Sequence, residues 1–412
     1  MKSIIINEQY SNSKFYFDGG KEDKIFIGKK KLFDLSYCSG VLLLGHNSNV
    51  FKKTLVDFKK KNLSIFAHPN IYAKKLAKKI KLFFPNINNV IFCNSGTESI
   101  IKSFRICRAI NNKKILISVT GSWHGSVDQT LYLADRKLSP VPISSGLKKS
   151  ERKNLKFIPY NDIKNSKKIL DKYKNNINSI VIEPVMGSLP VDNCKKYLKF
   201  LESYCIKNNI ILIFDEIVSG FRSKNGSVQN NFKIKPDITI MGKVLGGGFP
   251  IGAIGLTKKI KLKIDKLNKP VIFGGTFSAN TFSVYSGLKT LEYIIKKKNL
   301  INNLIKNSKY FQDKINKFII ENNLDLRVYR FDNMLRLVYT KRNITNRIQR
   351  DFLEKEKNIN IKNFKNFLFK NKIYYPPSGI IFLSTSSKKK NIDLIINIFC
   401  KGLIRFFDEK SK

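Results

Sequence analysis

The chain is poor in the residues from which metal and redox centres are built. Three histidines and one tryptophan stand among 412 residues, so a zinc site has little to draw on and no metal is expected. The six cysteines, Cys38, Cys93, Cys107, Cys194, Cys205 and Cys400, are scattered with no Cys-x-x-Cys pair. Five lie in apolar stretches, the pattern of buried reduced thiols in a cytosolic protein rather than of disulfides. No apolar run approaches the length of a membrane span. The opening Met1-Lys-Ser-Ile-Ile-Ile6 is too short for a signal peptide. Cytoplasm is the expected location, with no membrane partner.

Acidic residues are also few: 30 stand against 77 Lys and Arg, a formal net charge of +47. Such an excess raises the question of a nucleic-acid or anionic-membrane partner. The lysines are spread along the chain, however, in runs of only three, such as Lys29 to Lys31 and Lys388 to Lys390. Arginine, the better reader of bases and phosphates, is scarce. The lysines read as solvated positions, and nucleic acid is not the expected partner.

What the chain does hold is a globular composition, 42% hydrophobic and 12% aromatic, and enough length for one large domain and a smaller one. Residues 1–36 read as an extended arm with a short hairpin around Ile25 to Leu35. A helix is expected after His46, with Val50, Leu55 and Phe58 on one apolar face. His46 itself reads as a structural hydrogen-bonder beside a turn. Short apolar strands then alternate with helices: Asn89 to Cys93, Lys114 to Val119, Ile180 to Pro184, Ile210 to Phe214 and Ile238 to Met241. A further strand, Ile251 to Gly255, is expected to run antiparallel at the far side. This alternation describes an α/β fold, a parallel sheet covered on both faces. One helix is expected through Ile100, Phe104 and Cys107, another through Tyr197, Leu201 and Tyr204, and a long one from about Phe282 to Lys297. The Ser-, Pro-, Gly- and Lys-rich stretch 137–156 reads as a mobile surface loop. Beyond residue 300 a helix, strands (Leu326 to Tyr339, Gly379 to Ser384) and a closing helix near Asp393 to Phe407 suggest a small α+β domain. The expected division is 1–45 as arm and hairpin, 46–300 as the large domain and 301–412 as the small one.

Four stretches carry chemistry. Ile210-Ile-Leu-Ile-Phe-Asp215 ends a strand on a carboxylate, and Ile238-Thr-Ile-Met-Gly-Lys243 delivers one lysine into a glycine-rich loop. A reactive lysine and a strand-end acid are what a pyridoxal phosphate enzyme needs: the amine condenses with the aldehyde, and the carboxylate keeps the pyridine nitrogen protonated. Asn94-Ser-Gly-Thr-Glu98 turns into a helix whose first amides can approach a phosphate, although Ser95 or Thr97 can equally be a plain cap. Trp123-His124-Gly125 follows a strand end, where an aromatic can stack on a flat ring.

Together with Gly275-Thr276, these motifs resemble, in order and spacing, the class III, fold-type I pyridoxal-phosphate aminotransferases. Asn94-Ser-Gly-Thr-Glu98, Pro236 to Lys243, Gly275-Thr-Phe-Ser278 and Tyr374-Tyr-Pro-Pro-Ser378 look most like the glutamate-1-semialdehyde aminomutase branch. The resemblance covers roughly residues 33–400. It implies a large domain with a mostly parallel, seven-stranded-type sheet plus a smaller α+β domain. It implies Lys243 as the Schiff-base lysine and later proton carrier, and Asp215 at the pyridinium nitrogen. Ile217 and Trp123 would take the two ring faces with His124 beside them, and Ser95, Gly96 and Thr97 the phosphate. Thr276 would reach the phosphate from a second subunit, so a homodimer is implied. Glu183 and Glu216 would be supporting carboxylates. The expected reaction is an aminomutase exchange giving 5-aminolevulinate. The alternatives are a transaminase of the same branch acting on another carbonyl or sugar and, more remotely, a non-catalytic nucleic-acid-binding protein.

The substrate half of the pattern departs from that branch. The arginine with which many class III transaminases clamp a carboxylate is missing, since none lies between Arg350 and Arg405. The aminomutases' N-terminal Ser-Pro-Val-Arg stretch is also absent: the first arginine is Arg105, and the arm reads Asn12-Ser-Lys-Phe-Tyr-Phe17. Lys14 could supply a point charge there, without bidentate geometry. Trp123 stands where the aminomutases carry tyrosine, and Ser188 where an asparagine is often found.

Overall fold

The computed structural model describes residues 15–408. Its centre is a seven-stranded sheet of β1 (Asn89–Cys93), β2 (Ile115–Val119), β3 (Leu155–Ile158), β4 (Ile177–Ile182), β5 (Ile211–Asp215), β6 (Ile238–Gly242) and β7 (Gly252–Leu256). The order across the sheet is β1-β7-β6-β5-β4-β2-β3. Neighbours from β6 to β3 pair in parallel, while β7 runs antiparallel to both β6 and β1. Strands β2, β4, β5, β6 and β7 are buried residue by residue, because helices cover both faces and no solvent face forces alternation.

Two expectations about this sheet are corrected. β7 is antiparallel as expected, but it is not at the margin; it lies between β6 and β1. The stretch read as a loop over 137–156 holds one strand of a two-stranded ribbon (Pro140–Pro142, paired with Tyr132–Ala134), a short helix (Lys149–Asn154) and the start of β3. Leu155, Phe157 and Ile158 of β3 are buried, and four residues broken by Lys156 are too short a pattern to read as a strand.

Of the expected helices, Gly96–Ile110, Lys195–Lys207 and Thr281–Lys296 form where the periodicity placed them. On Asn49–Lys60 the apolar face differs. Thr54 is the buried residue, whereas Leu55 and Val56 face outward. The helix Ile71–Phe83 was not anticipated, although Leu76, Ile80 and Phe83 mark a buried face at i, i+4, i+7.

The chain ends meet. The strands Gly19–Lys21, Lys24–Ile27 and Lys30–Asp34 form an antiparallel meander, which Ile373–Tyr374 joins in parallel. The expected stretch Leu326 to Tyr339 is a hairpin, Arg327–Phe331 with Met334–Val338, and Ile380–Phe382 adds a third strand. One apolar cluster runs from Leu76 and Leu288 through Phe311 to Phe364 and Phe399, joining the sheet's helices to the C-terminal segment.

Candidate active site

Parallel strands all end at the same edge of a sheet, and ligands collect there. Here β1 is followed by Asn94 to Thr97, β2 by Trp123, and β4 by Glu183; β5 ends on Asp215, and β6 is followed by Lys243. The antiparallel β7 is preceded by Phe249, Pro250 and Ile251, and its register (Gly242 opposite Gly252, Gly252 opposite Cys93) brings them to the same level. These residues line one cavity of about 350 Å³, within the range of small-molecule sites.

Two glycines permit this crowding. A Cβ on Gly252 would stand 2.1 Å from the Ser95 carbonyl oxygen, so only glycine lets β7 pass so close to the helix start. A Cβ on Gly96 would stand 2.4 Å from Ile217 Cδ1. The helix Gly96–Ile110 is capped by Ser95, whose hydroxyl accepts from Glu98 N at 3.1 Å. Glu98 in return accepts at 2.7 Å from the N–H of Asn94, the residue before the cap, so the turn is held from both sides. Ser99 N donates to the Ser95 carbonyl. Among the described residues this leaves the amides of Gly96 and Thr97 free for an anion at the positive end of the helix.

Asp215 is buried, and both its oxygens are held. Oδ1 accepts from Ile217 N at 3.1 Å, and Oδ2 pairs with His124 Nδ1 at 2.8 Å. His124 is itself buried. It supports the carboxylate from behind, whereas the sequence pointed to it as a direct cofactor contact; the lining of the cavity at this point is Trp123 and Gly125. Trp123 N donates to Glu183 Oε1 at 2.8 Å, and its ring is half exposed at the mouth. Glu183, read from sequence as merely supporting, also lines the cavity, and burial, then the nearby Asp215, pushes its carboxyl above the ordinary range. Its place after β4 is the same strand-end signal that marked Asp215. Glu216 points the other way: its carboxylate accepts from Val228 N, Gln229 N and Ser219 Oγ.

Lys243 has φ +49°, left-handed for a non-glycine. Its Nζ donates to the Ser39 carbonyl at 3.0 Å. Burial and then the charge of Arg222 push its ammonium below the ordinary lysine value. The turn that receives it is unusual: Tyr37, Cys38, Ser39 and Gly40 have φ of 45°, 55°, 54° and 85°. Left-handed non-glycine residues cost roughly 1–2 kcal/mol each. Asp34 holds this turn by accepting from Ser36 N and Tyr37 N while pairing with His46 Nε2 at 2.8 Å. Thus His46 is structural.

The structure does not bring Thr276 to this cavity within one chain. It is exposed and lines a separate hollow of about 670 Å³ with Ala67, His68, Asn70 and Ser278. Ser188 lies behind the mouth, its hydroxyl donating to the Gly121 carbonyl and its own carbonyl accepting from Arg350. Lys14 lies outside the described residues.

A sequence profile of the family described as Aminotransferase class-III matches residues 27–335. The chain belongs to the class III aminotransferases. As a member it is a pyridoxal-phosphate-dependent enzyme, and the non-catalytic reading is set aside. Among curated relatives, a glutamate-1-semialdehyde 2,1-aminomutase of Wigglesworthia glossinidia brevipalpis is 31% identical, covering 96% of this chain and 90% of the relative. An omega-transaminase from Sphaerobacter thermophilus shares the fold with a TM-score of 0.88 at 22% identity, over 94% of this chain and 90% of that one. A glutamate-1-semialdehyde-aminomutase from Pseudomonas aeruginosa PAO1, solved with PMP, superposes with a TM-score of 0.85 at 14% identity, over 95% and 88%.

The residues present fit the family's cofactor. One primary amine, two buried carboxylates (Asp215 and Glu183) and two free helix-start amides surround a cavity that has Ile217 and Trp123 as apolar walls.

Proposed function

We propose that this aminotransferase is a glutamate-1-semialdehyde 2,1-aminomutase-type enzyme, with Lys243 as the amine that carries its cofactor. Pyridoxal phosphate, when bound, supplies an aldehyde for an amine to condense with and an electron-withdrawing ring. Lys243 offers that amine, which burial and Arg222 make easier to deprotonate than an ordinary lysine, and once released it carries a proton at Nζ. Asp215, steadied by His124 and Ile217 N, presents its carboxylate to the ring nitrogen. The Gly96 and Thr97 amides, with Ser95, take the phosphate; Ile217 and Trp123 confine the ring and exclude water. The single observation that carries this reading is the convergence of Lys243, Asp215 and the Ser95 to Thr97 helix start on one cavity. The 31% identical aminomutase relative supports the choice of substrate.

One observation favours a second reading, a transaminase acting on another carbonyl. Among the described residues lining the cavity, Lys243 is the only cation, so nothing there clamps a carboxylate bidentately. Incubating the purified enzyme with glutamate-1-semialdehyde alone separates the two. The aminomutase gives 5-aminolevulinate without a second donor, and product that appears only with an added donor rejects it. In the same preparation, borohydride should remove the visible absorbance and fix the cofactor mass to the Lys243 peptide, and Lys243→Ala should abolish both that attachment and turnover.

The enzyme is proposed to work as a cytoplasmic homodimer in which Thr276 reaches the partner's cofactor phosphate. Phe66, Ile71, Ile272 and Phe277, large and exposed around the Thr276 hollow, support an interface there. No helix among the described residues is long and apolar enough to cross a membrane. The division 1–45, 46–300 and 301–412 is kept as a proposal, supported by the pairing of Lys30–Asp34 with Ile373–Tyr374. Nucleic acid is not proposed as a partner.

A further inference from the structure

Arg222 is a charge without a counter-charge. It is 1% exposed and the largest fully buried side chain among the described residues, and no carboxylate pairs with it there. One guanidinium nitrogen donates to the Gly40 carbonyl, another to Asn333 Oδ1 at 3.4 Å, and Nε has no partner. The face of the group lies 4.7 Å from the centroid of Phe382. Burying a cation in this way is unfavourable, and nothing in the packing of a core requires it, since an apolar side chain of similar volume fills the same space at no electrostatic cost.

The placement shows what the charge does. Gly40 and Ser39 are consecutive residues of the left-handed turn, and their carbonyls receive the two cations: Gly40 takes Arg222, Ser39 takes Lys243. Arg222 therefore fastens from behind the turn that Lys243 grips from the front. It also ties that turn to Phe382 and Asn333 in the C-terminal segment.

We propose that Arg222 is a positioning residue for Lys243, its uncompensated charge holding in register the Tyr37–Gly40 turn whose Ser39 carbonyl receives Nζ. The proposal rests on Lys243 being the amine offered to the cofactor. The groups whose charge reaches Lys243 are Arg222, Glu183, Asp215 and Cys38. Of these, Glu183, Asp215 and Cys38 favour the ammonium, so Arg222 is the one charge that, alongside burial, eases the loss of the Nζ proton.

The test uses the full-length protein freed of cofactor. Competitive acylation with acetic anhydride, read by mass spectrometry of the Lys243 peptide from about pH 6 to pH 11, gives the midpoint at which this amine becomes reactive. Arg222→Met should raise the midpoint by about one pH unit, a roughly tenfold loss of neutral amine at neutral pH. Asn333→Asp, which places a carboxylate beside the guanidinium with no change of volume, should raise it in the same direction. Arg222→Lys, which keeps the charge, should leave it near the wild-type value. A midpoint unmoved in folded Asn333→Asp overturns the proposal, and that variant decides the matter if Arg222→Met fails to fold. Borohydride fixation in the loaded protein keeps the two readings apart. Cofactor trapped on a lysine other than Lys243 sinks the assignment of Lys243, whereas cofactor on Lys243 with an unmoved midpoint sinks only the role of Arg222.

Discussion

At the scale of single residues, the site depends on one amine and one carboxylate that their surroundings hold in place. Lys243 is pushed below its ordinary value by burial and Arg222. Its acylation should therefore begin at lower pH than that of free lysine. Asp215 is held at both oxygens and faces the cavity. Asp215→Ala, with cofactor still retained by the helix-start amides, should lower turnover by at least about a hundredfold, the usual loss when one preorganised electrostatic partner is removed, while borohydride fixation to Lys243 persists. Both residues were legible in sequence because an apolar run has a definite end, and the residue at that end must face the sheet's edge. Glu183 sits at the same kind of end and was passed over because nothing in its own stretch tells a cavity carboxylate from a supporting one. His124 was misplaced by proximity: next to Trp123 in sequence, it points back to Asp215. Arg222 was invisible for a different reason. Its partners Gly40 and Asn333 lie 182 and 111 residues away, and no local pattern encodes such a meeting.

At the scale of elements, the close passage of β7 under the helix Gly96–Ile110 is the tightest constraint on the site. Gly252→Ala would set a methyl against the Ser95 carbonyl, and backbone cannot swing aside as a side chain can. The expected cost is about 3 kcal/mol, the upper part of the usual overpacking range. It should appear as a lowered thermal midpoint together with weaker pyridoxal phosphate binding, since the displaced element carries the phosphate amides. Reading elements from the sequence succeeded where apolar residues ran unbroken, as in β5 and β6, or recurred at helical spacing, as at Ile100, Phe104 and Cys107. It failed at β3, four residues interrupted by Lys156. It failed also at the helix Arg347–Glu354, where Ile348, Phe352 and Leu353 recur at helical spacing over only eight residues and the buried side chains are Arg350 and Glu354. The position of β7 could not be read either, because strand order is settled by which loop can reach across the sheet, and not by the strand's own residues.

At the scale of the whole molecule, a formal charge of +47 acts on assembly rather than on chemistry. Two such chains repel each other, and the screening length is about 10 Å at 0.1 M salt. Dimerisation should therefore tighten as salt rises from about 0.02 to 0.2 M, with light scattering as the measure; a dimer that loosens with salt speaks against an apolar interface around Thr276. The pairing of Lys30–Asp34 with Ile373–Tyr374 has a consequence for how the protein is made. Chains emerge from the ribosome N-terminus first, so the strand leading into the turn at Lys243 waits for its neighbour until some 340 further residues have been synthesised. The stretch that receives Lys243 is among the first parts translated and among the last to be anchored, and a nascent chain can hold its central sheet complete while its active site is still open.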